Sequence, residues 1–309
     1  MPEKSSSPRK VPLTKGNVGR KPSEKKDVAE VSFTPLYVSS AAVAVFSVLY
    51  YLLTYQEGGT ETFVPVGLTT EKKVHEVACS TEYAKEPFHD CKPKRCARVV
   101  MDELVAKSEA SHLRGVAERG LALGGGDGGA SILDLHSGAL SKGKSFINVY
   151  RLLETISENI FTEEDFRVYR NVKSKIHVAI AKEFGVKPSA LFLTKPTFFS
   201  RMNTKPATTV HDEYWHAHVD KVTYGSFHYT SLLYLSTYGE EFSGGRFIFV
   251  DKDVNRTVEP RLGRVSFFTS GSENVHFVEK LVEGERFAIT ISFTCDPAQA
   301  ISDPVLPTK

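Results

Sequence analysis

The chain has 309 residues, 41% hydrophobic and 25% charged, enough apolar bulk for one sizeable globular domain with accessory segments. A formal net charge of +2 argues against the broad basic surface that a nucleic-acid partner requires. Four cysteines suit two disulfides, but only in an oxidising compartment, so the compartment has to be argued first.

Residues 1–33 are a polar head carrying eight Lys and Arg residues between Lys4 and Lys26, read as a disordered basic tail. Residues 34–55 contain no charge and are apolar all round. As a helix rising about 1.5 Å per residue they span about 33 Å, against a bilayer core of about 30 Å. From Gln56 to Thr70 no basic residue occurs. Lys and Arg stay on the cytoplasmic side, so the expectation is a single-pass type II membrane protein with its bulk in the lumen or outside the cell, in the ER or Golgi. The long head and long apolar run fit an uncleaved signal anchor better than a cleaved signal peptide.

In that compartment Cys79, Cys91, Cys96 and Cys295 are disulfide candidates, with all three pairings open. Cys91 and Cys96 with His89 lack the spacing of a zinc site. Asn255-Arg256-Thr257 is a glycosylation sequon, expected on a surface loop.

Residues 56–108 read as a lumenal stem with a cysteine-stapled segment, and residues 109–190 as a helical support region. Helical patterns run from Glu109 to Gly120 and from Thr162 to Gly185. Thr162 with Asp165 caps the second, and Gly185 ends it. Between them the run from Gly124 to Gly129 lacks the Lys and Ser/Thr of a phosphate-binding loop and reads as a turn that breaks regular structure. From Ala190 the texture changes to short strands: Leu191–Thr194, His216–Asp220, Tyr229–Leu235, Arg246–Val250, Arg264–Phe268, Val275–Glu279 and Phe287–Thr294. Many short strands without intervening helices predict a barrel or jelly roll over residues 191–298, with residues 299–309 as a tail.

His218 and Asp220 are two residues apart, and on a strand positions i and i+2 share a face. An imidazole and a carboxylate thus converge, and a distant histidine would complete one face of an octahedral site. His276, in its own strand-like segment, is the third ligand expected. His216 shares the face of His218 and is the alternative ligand, while His211-Asp212-Glu213 reads as a loop on the substrate side or the surface. Ten residues beyond His276, Arg286 alternates with Ala288, Thr290 and Ser292 on one strand face, opposite Phe287, Ile289, Ile291 and Phe293. A cation on the small, polar face of a core strand needs an anion, and a dicarboxylate would supply one.

H-x-D, a distal His and a basic residue ten positions later, inside this strand order, resemble the prolyl-4-hydroxylase-type branch of the 2-oxoglutarate/Fe(II) dioxygenases. Thr230–Ser236, Gly244–Phe247 and Pro260–Val265 also resemble family blocks. The resemblance implies a double-stranded β-helix core with flanking helices, preceded here by one transmembrane helix. It implies Fe(II) on His218, Asp220 and His276, and 2-oxoglutarate gripped by Arg286 with Tyr234, Thr290 and Ser292 adding hydroxyls. O₂ is the other co-substrate, and L-ascorbate dependence follows by the same analogy. The implied reaction hydroxylates a substrate C–H, with a peptidyl side chain such as proline leading, and releases succinate and CO₂.

Two other readings compete. Asp251-Lys252-Asp253 after an apolar strand resembles the metal–nucleotide-sugar site of a type II membrane glycosyltransferase, although that fold alternates strands and helices. A jelly roll that only binds is the other, against which stand the filled ligand and arginine positions.

Overall fold

The computed structural model describes Val45 and residues 59–156 and 159–306. The basic head and, but for Val45, the apolar run 34–55 expected to cross a membrane lie outside the described residues. Among the described residues no helix is long and apolar enough to cross a membrane.

Three strands come first: β1 (Thr60–Val64), β2 (Lys73–Val77) and β3 (Cys96–Met101). Helix α1 (Lys107–Ala122) precedes short strands β4 (Gly125–Gly126), β5 (Ala130–Leu133), β6 (Ala139–Gly143) and β7 (Ser145–Asn148). Helices α2 (Val149–Ile156) and α3 (Glu163–Phe184) lead into β8 (Phe192–Met202), and the short helix α4 (Asp220–Tyr224) follows. Strands β9 (Tyr229–Tyr234), β10 (Phe242–Gly244), β11 (Phe247–Phe249), β12 (Asn255–Val258) and β13 (Val265–Thr269) come next. The last are β14 (His276–Val278), β15 (Leu281–Gly284) and β16 (Arg286–Thr294). The sixteen strands among the described residues all belong to one unit, Glu57–Lys309.

Helix α3 forms where its caps say it should. Thr162 accepts the Asp165 N–H, the Asp165 carboxylate accepts the Thr162 N–H at 2.8 Å, and Gly185 closes the helix at φ 63°. Phe166, Tyr169, Val172, Ile176 and Ile180 recur at helical spacing and are buried. They pack with Leu113, Val116 and Leu121 of α1 against one face of a large sheet.

That sheet runs β2-β3-β13-β9-β16-β8-β5-β6-β4, with β7 added to β6. A four-stranded sheet, β1-β12-β11-β14, supplies the second layer, and β10 pairs with β15. Alternation sorts the side chains between two cores. Leu233, Phe267, Phe287, Ile289 and Ile291 join the helix-side core, whereas Leu232, Tyr234, Phe268 and Ala288 meet Phe247, Phe249 and Val278 of the smaller sheet. The result is a mainly β core of the double-stranded β-helix kind with helices on its outer side.

Several elements differ from the sequence reading. Residues 60–101, read as a stem, carry three strands: β3 pairs with β13, and β1 runs parallel to β12. Val99 and Val100 make β3 a buried central strand, so this segment completes the sheet. The support region also contributes β4 to β7, and the glycine run itself holds a minimal strand, Gly125–Gly126, paired with Lys142–Gly143. The sequon lies in strand β12, not in a loop: Asn255 is half-buried, and buried Thr257 donates to the Glu61 carbonyl at 3.3 Å. The disulfides join Cys79 to Cys96 and Cys91 to Cys295.

Candidate active site

His218 and His276 face each other as an isolated antiparallel bridge, each backbone N–H donating to the other's carbonyl at 2.9 and 3.0 Å. Contrary to the expectation of a strand over His216–Asp220, Asp220 is the first residue of the short helix α4. Extended Val219, at φ −118° and ψ 121°, still turns both side chains to one side. His218 Nε2 lies 3.5 Å and His276 Nε2 3.6 Å from Asp220 Oδ1. Ligands about 2.1 Å from one ion sit about 3 Å apart when adjacent, so a small contraction suffices to bind a divalent metal.

Each imidazole has its other nitrogen engaged. His218 Nδ1 donates to the His216 carbonyl at 3.0 Å and His276 Nδ1 to the Asn274 carbonyl at 2.8 Å. These bonds leave both Nε2 lone pairs for a metal. Asp220 Oδ2 accepts the Thr230 hydroxyl at 2.6 Å, which leaves Oδ1 toward the histidines. Burial opposes the charge of Asp220, but His276, His218 and Thr230 outweigh it and hold the carboxyl below its usual range. Burial also opposes a charged His218, yet the Asp220 carboxylate and the His216 carbonyl raise its pKa above the ordinary value. Burial lowers that of His276, whose ring stacks on Phe247 at 5.0 Å.

A cavity of about 440 Å³ opens on this cluster, and Arg286 and Thr290 line it as well. The Arg286 side chain is wholly buried, and among the described residues it has no carboxylate partner and leaves Nε and Nη2 without any hydrogen-bond acceptor. Its one hydrogen-bond contact is Met202 Sδ at 3.7 Å. Burial depresses its pKa, with Tyr234 and Tyr214 opposing. A buried guanidinium without an anion costs several kcal/mol, so the chain is built to receive one here. Gly245, at φ 65°, packs closely beside this side chain: a Cβ there would fall 2.9 Å from Leu281 Cδ1 and 3.2 Å from Arg286 Cδ.

Residues 199–294 match the model of the 2OG-Fe(II) oxygenase superfamily. The chain is 59% identical over 241 residues to 2-oxoglutarate and iron-dependent oxygenase domain-containing protein 3 of Mus musculus, covering 78% of this chain and 76% of that one. The chain belongs to the 2-oxoglutarate- and Fe(II)-dependent oxygenases. The Rattus norvegicus protein of the same name is 52% identical over 290 residues, 92% of each chain. Human prolyl 3-hydroxylase 1 is 27% identical over 234 residues, 67% of this chain and 30% of that one.

Family membership implies Fe(II), 2-oxoglutarate and O₂, and the residues fit them. Two imidazole nitrogens and one carboxylate oxygen make a facial donor set with open positions for co-substrate and oxygen. In this oxygenase Tyr234 and Ser292 are buried with hydroxyls unpartnered among the described residues; Tyr234 lies beside Arg286, whereas Ser292 sits six residues along β16, opposite Thr230, and does not line the cavity. Tyr234 is paired across the sheet with Ala288, its ring 5.5 Å from the Arg286 guanidinium carbon. Burial pushes its phenol up to about 12, so it is a proton donor at neutral pH.

His216 does not join the cluster: its side chain is 68% exposed and pairs with Glu213. Asp212 is spent on structure, accepting Thr208 N–H at 3.1 Å and Thr209 N–H at 2.8 Å. Tyr214 and Phe198 line the cavity, whereas Phe199 belongs to the helix-side core. The competing Asp pair is also accounted for. Asp251 receives both terminal nitrogens of Arg98 at 2.7 Å and Arg256 as well, and Asp253 pairs with Arg256. A carboxylate so neutralised has no metal–nucleotide role.

Sequence reasoning missed Thr230, Asn274 and Arg98. Thr230 was findable, because it alternates with Leu232 and Tyr234 on the site-facing side of β9. Arg98 carried no local signal.

Proposed function

We propose that this oxygenase hydroxylates a side chain of a protein substrate, using Fe(II) held by His218, Asp220 and His276. The observation that carries the reading is a buried, unpaired Arg286 lining the same cavity as a cluster with two free imidazole nitrogens and one free carboxylate oxygen. Arg286 takes the far carboxylate of 2-oxoglutarate as a charge-assisted pair, with Tyr234 and Thr290 donating hydroxyls; Ser292, outside the cavity lining, takes no part in that grip. When bound, the iron supplies oxidative decarboxylation of 2-oxoglutarate coupled to C–H hydroxylation. The protein's part is to orient the three donors, neutralise the diacid and wall the cavity with Phe247, Leu232 and Val278 against water.

A peptidyl substrate, with proline foremost, is supported by the relative named prolyl 3-hydroxylase 1. The two disulfides suit an oxidising lumen, and the charge-free run 34–55 behind a basic head suits a type II anchor in the ER or Golgi. Asn255 would then be open to glycosylation before β12 forms, and ascorbate would keep the iron reduced.

The test uses full-length protein in detergent with Fe(II), 2-oxoglutarate and O₂, measuring succinate. Succinate that requires metal and disappears in His218→Ala is expected, with one oxygen atom added to a prolyl peptide. No metal-dependent succinate and no 2-oxoglutarate binding would overturn the reading. Protection of the carboxy-terminal bulk from protease in sealed microsomes tests the topology.

A further inference from the structure

We propose that Arg98 is a positioning residue for the metal centre: acting through Asn274, it sets the direction in which His276 presents Nε2. The proposal rests on the reading that His218, Asp220 and His276 hold Fe(II).

Arg98 lies on β3, in the stretch whose sequence reads as a stem, 176 residues from Asn274. Its side chain is wholly buried, and its guanidinium carbon sits 4.4 Å over the Phe249 ring. Asp251 grips Nη1 and Nη2 in a two-point pair, each bond 2.7 Å. That pair fixes the guanidinium plane and aims Nε at Asn274 Oδ1, 2.7 Å away. Asn274 is buried, and its amide nitrogen donates to Thr269 O at 2.8 Å and Thr269 Oγ1 at 3.1 Å. The side chain is thereby held at both ends, which immobilises its own backbone. The Asn274 carbonyl is the acceptor for His276 Nδ1. A displacement of that carbonyl rotates the imidazole and carries Nε2 off the ion.

The two histidine ligands differ in this respect. His218 leans on the carbonyl of His216, whose side chain is solvent-exposed and meets Glu213 and the edge of the Trp215 ring. His276 leans on a carbonyl braced by a buried ion pair. We therefore assign His276 as the fixed ligand. Outer-shell partners of metal-bound histidines are worth about 10–100-fold in metal affinity. Lysine cannot replace Arg98, since it lacks the planar fork that meets Asp251 and Asn274 together.

A second buried arginine provides the control. Arg264 is equally buried and pairs with Asp102 at 2.7 and 3.0 Å, but its other hydrogen bonds go to the backbone carbonyls of Val64, Pro65, Leu68 and Glu259. The experiment titrates full-length wild type, Arg98→Lys, Asn274→Ala, the double variant and Arg264→Lys with Mn(II), and records the visible spectrum of each Co(II) form. Thermal melts run alongside. Arg98→Lys and Asn274→Ala are each expected to weaken Mn(II) binding about 10-fold or more, with an altered Co(II) spectrum. The double variant loses no more than either single one, because the two act in series. Arg264→Lys loses thermal stability and keeps wild-type affinity and spectrum. Should Arg98→Lys fail to fold, Asn274→Ala decides, since it leaves the Arg98–Asp251 pair intact. Wild-type affinity and spectrum in Asn274→Ala overturn the proposal while leaving the metal site standing. Failure of the wild type itself to bind Mn(II) instead removes the reading of the site.

Discussion

The Thr230 hydroxyl donates to Asp220 Oδ2 at 2.6 Å, and that bond decides which carboxylate oxygen faces the two imidazoles. The same hydroxyl meets Ser270 Oγ at 2.9 Å, so its one proton is committed to the carboxylate while Ser270 donates to it.

Thr230→Val keeps the shape and removes the donor. A buried carboxylate that loses this hydrogen bond costs about 1.5–3 kcal/mol. Urea unfolding should show a loss of that order, and Mn(II) affinity should fall because Asp220 is free to turn Oδ1 away. An unchanged unfolding midpoint together with unchanged affinity would refute the role given to Thr230.

Arg286 predicts an inversion between stability and function. Its charge is buried and unpaired, so Arg286→Met should leave the ligand-free protein as stable as wild type or more so. Adding 2-oxoglutarate with Mn(II) at about 100 times its dissociation constant should stabilise wild type by about 2.7 kcal/mol. The variant should show no such shift in differential scanning fluorimetry. A strongly destabilised variant would mean that Arg286 has a protein partner after all.

The disulfides should contribute unequally. Cys79–Cys96 closes a loop of 17 residues and Cys91–Cys295 one of 204. On chain entropy alone these correspond to about 3 and about 5 kcal/mol. Paired Cys→Ser variants compared by denaturant titration should keep that order, and the reverse order would assign the dominant effect to native-state contacts.

Burial lowers the pKa of His136, His177 and His228. A histidine held neutral in the fold takes up its proton more readily when unfolded, so its stabilising effect is full above about pH 6.5 and lost as pH falls below it. His218, with its pKa raised, works in the opposite sense. Thermal melts of the metal-free protein should therefore decline from about pH 7 to about pH 5.5. His177→Gln can still donate to the Pro188 carbonyl, now met by His177 Nε2 at 3.1 Å, and should soften the decline. A flat profile between those limits, equal in both proteins, would contradict this.

Helix α3, the alternation of β16 and the convergence of His218 with Asp220 were legible because each depends on neighbours in sequence, whereas distant His276 was expected only from its strand-like segment and the family pattern. A capping box needs residues three apart, and a strand face needs only every second residue. The H-x-D spacing was legible for the same reason, although Asp220 begins a helix. Extended Val219 preserves the convergence that a strand would have produced. Neither the pairing of the cysteines nor the strand character of residues 60–101 could be read locally. A short run such as Cys96–Met101 becomes a central strand only because β13 and β2 offer it hydrogen bonds on both edges.

By itself, then, the sequence determined the ligand types, the arginine and the face on which that arginine lies, since these follow from side-chain chemistry and a two-residue period. Only the tertiary structure decided that Arg98 braces His276 and that Asp251 belongs to that brace and not to a nucleotide site. Those contacts join residues more than 150 positions apart. No local pattern encodes such a meeting; the sheet order creates it.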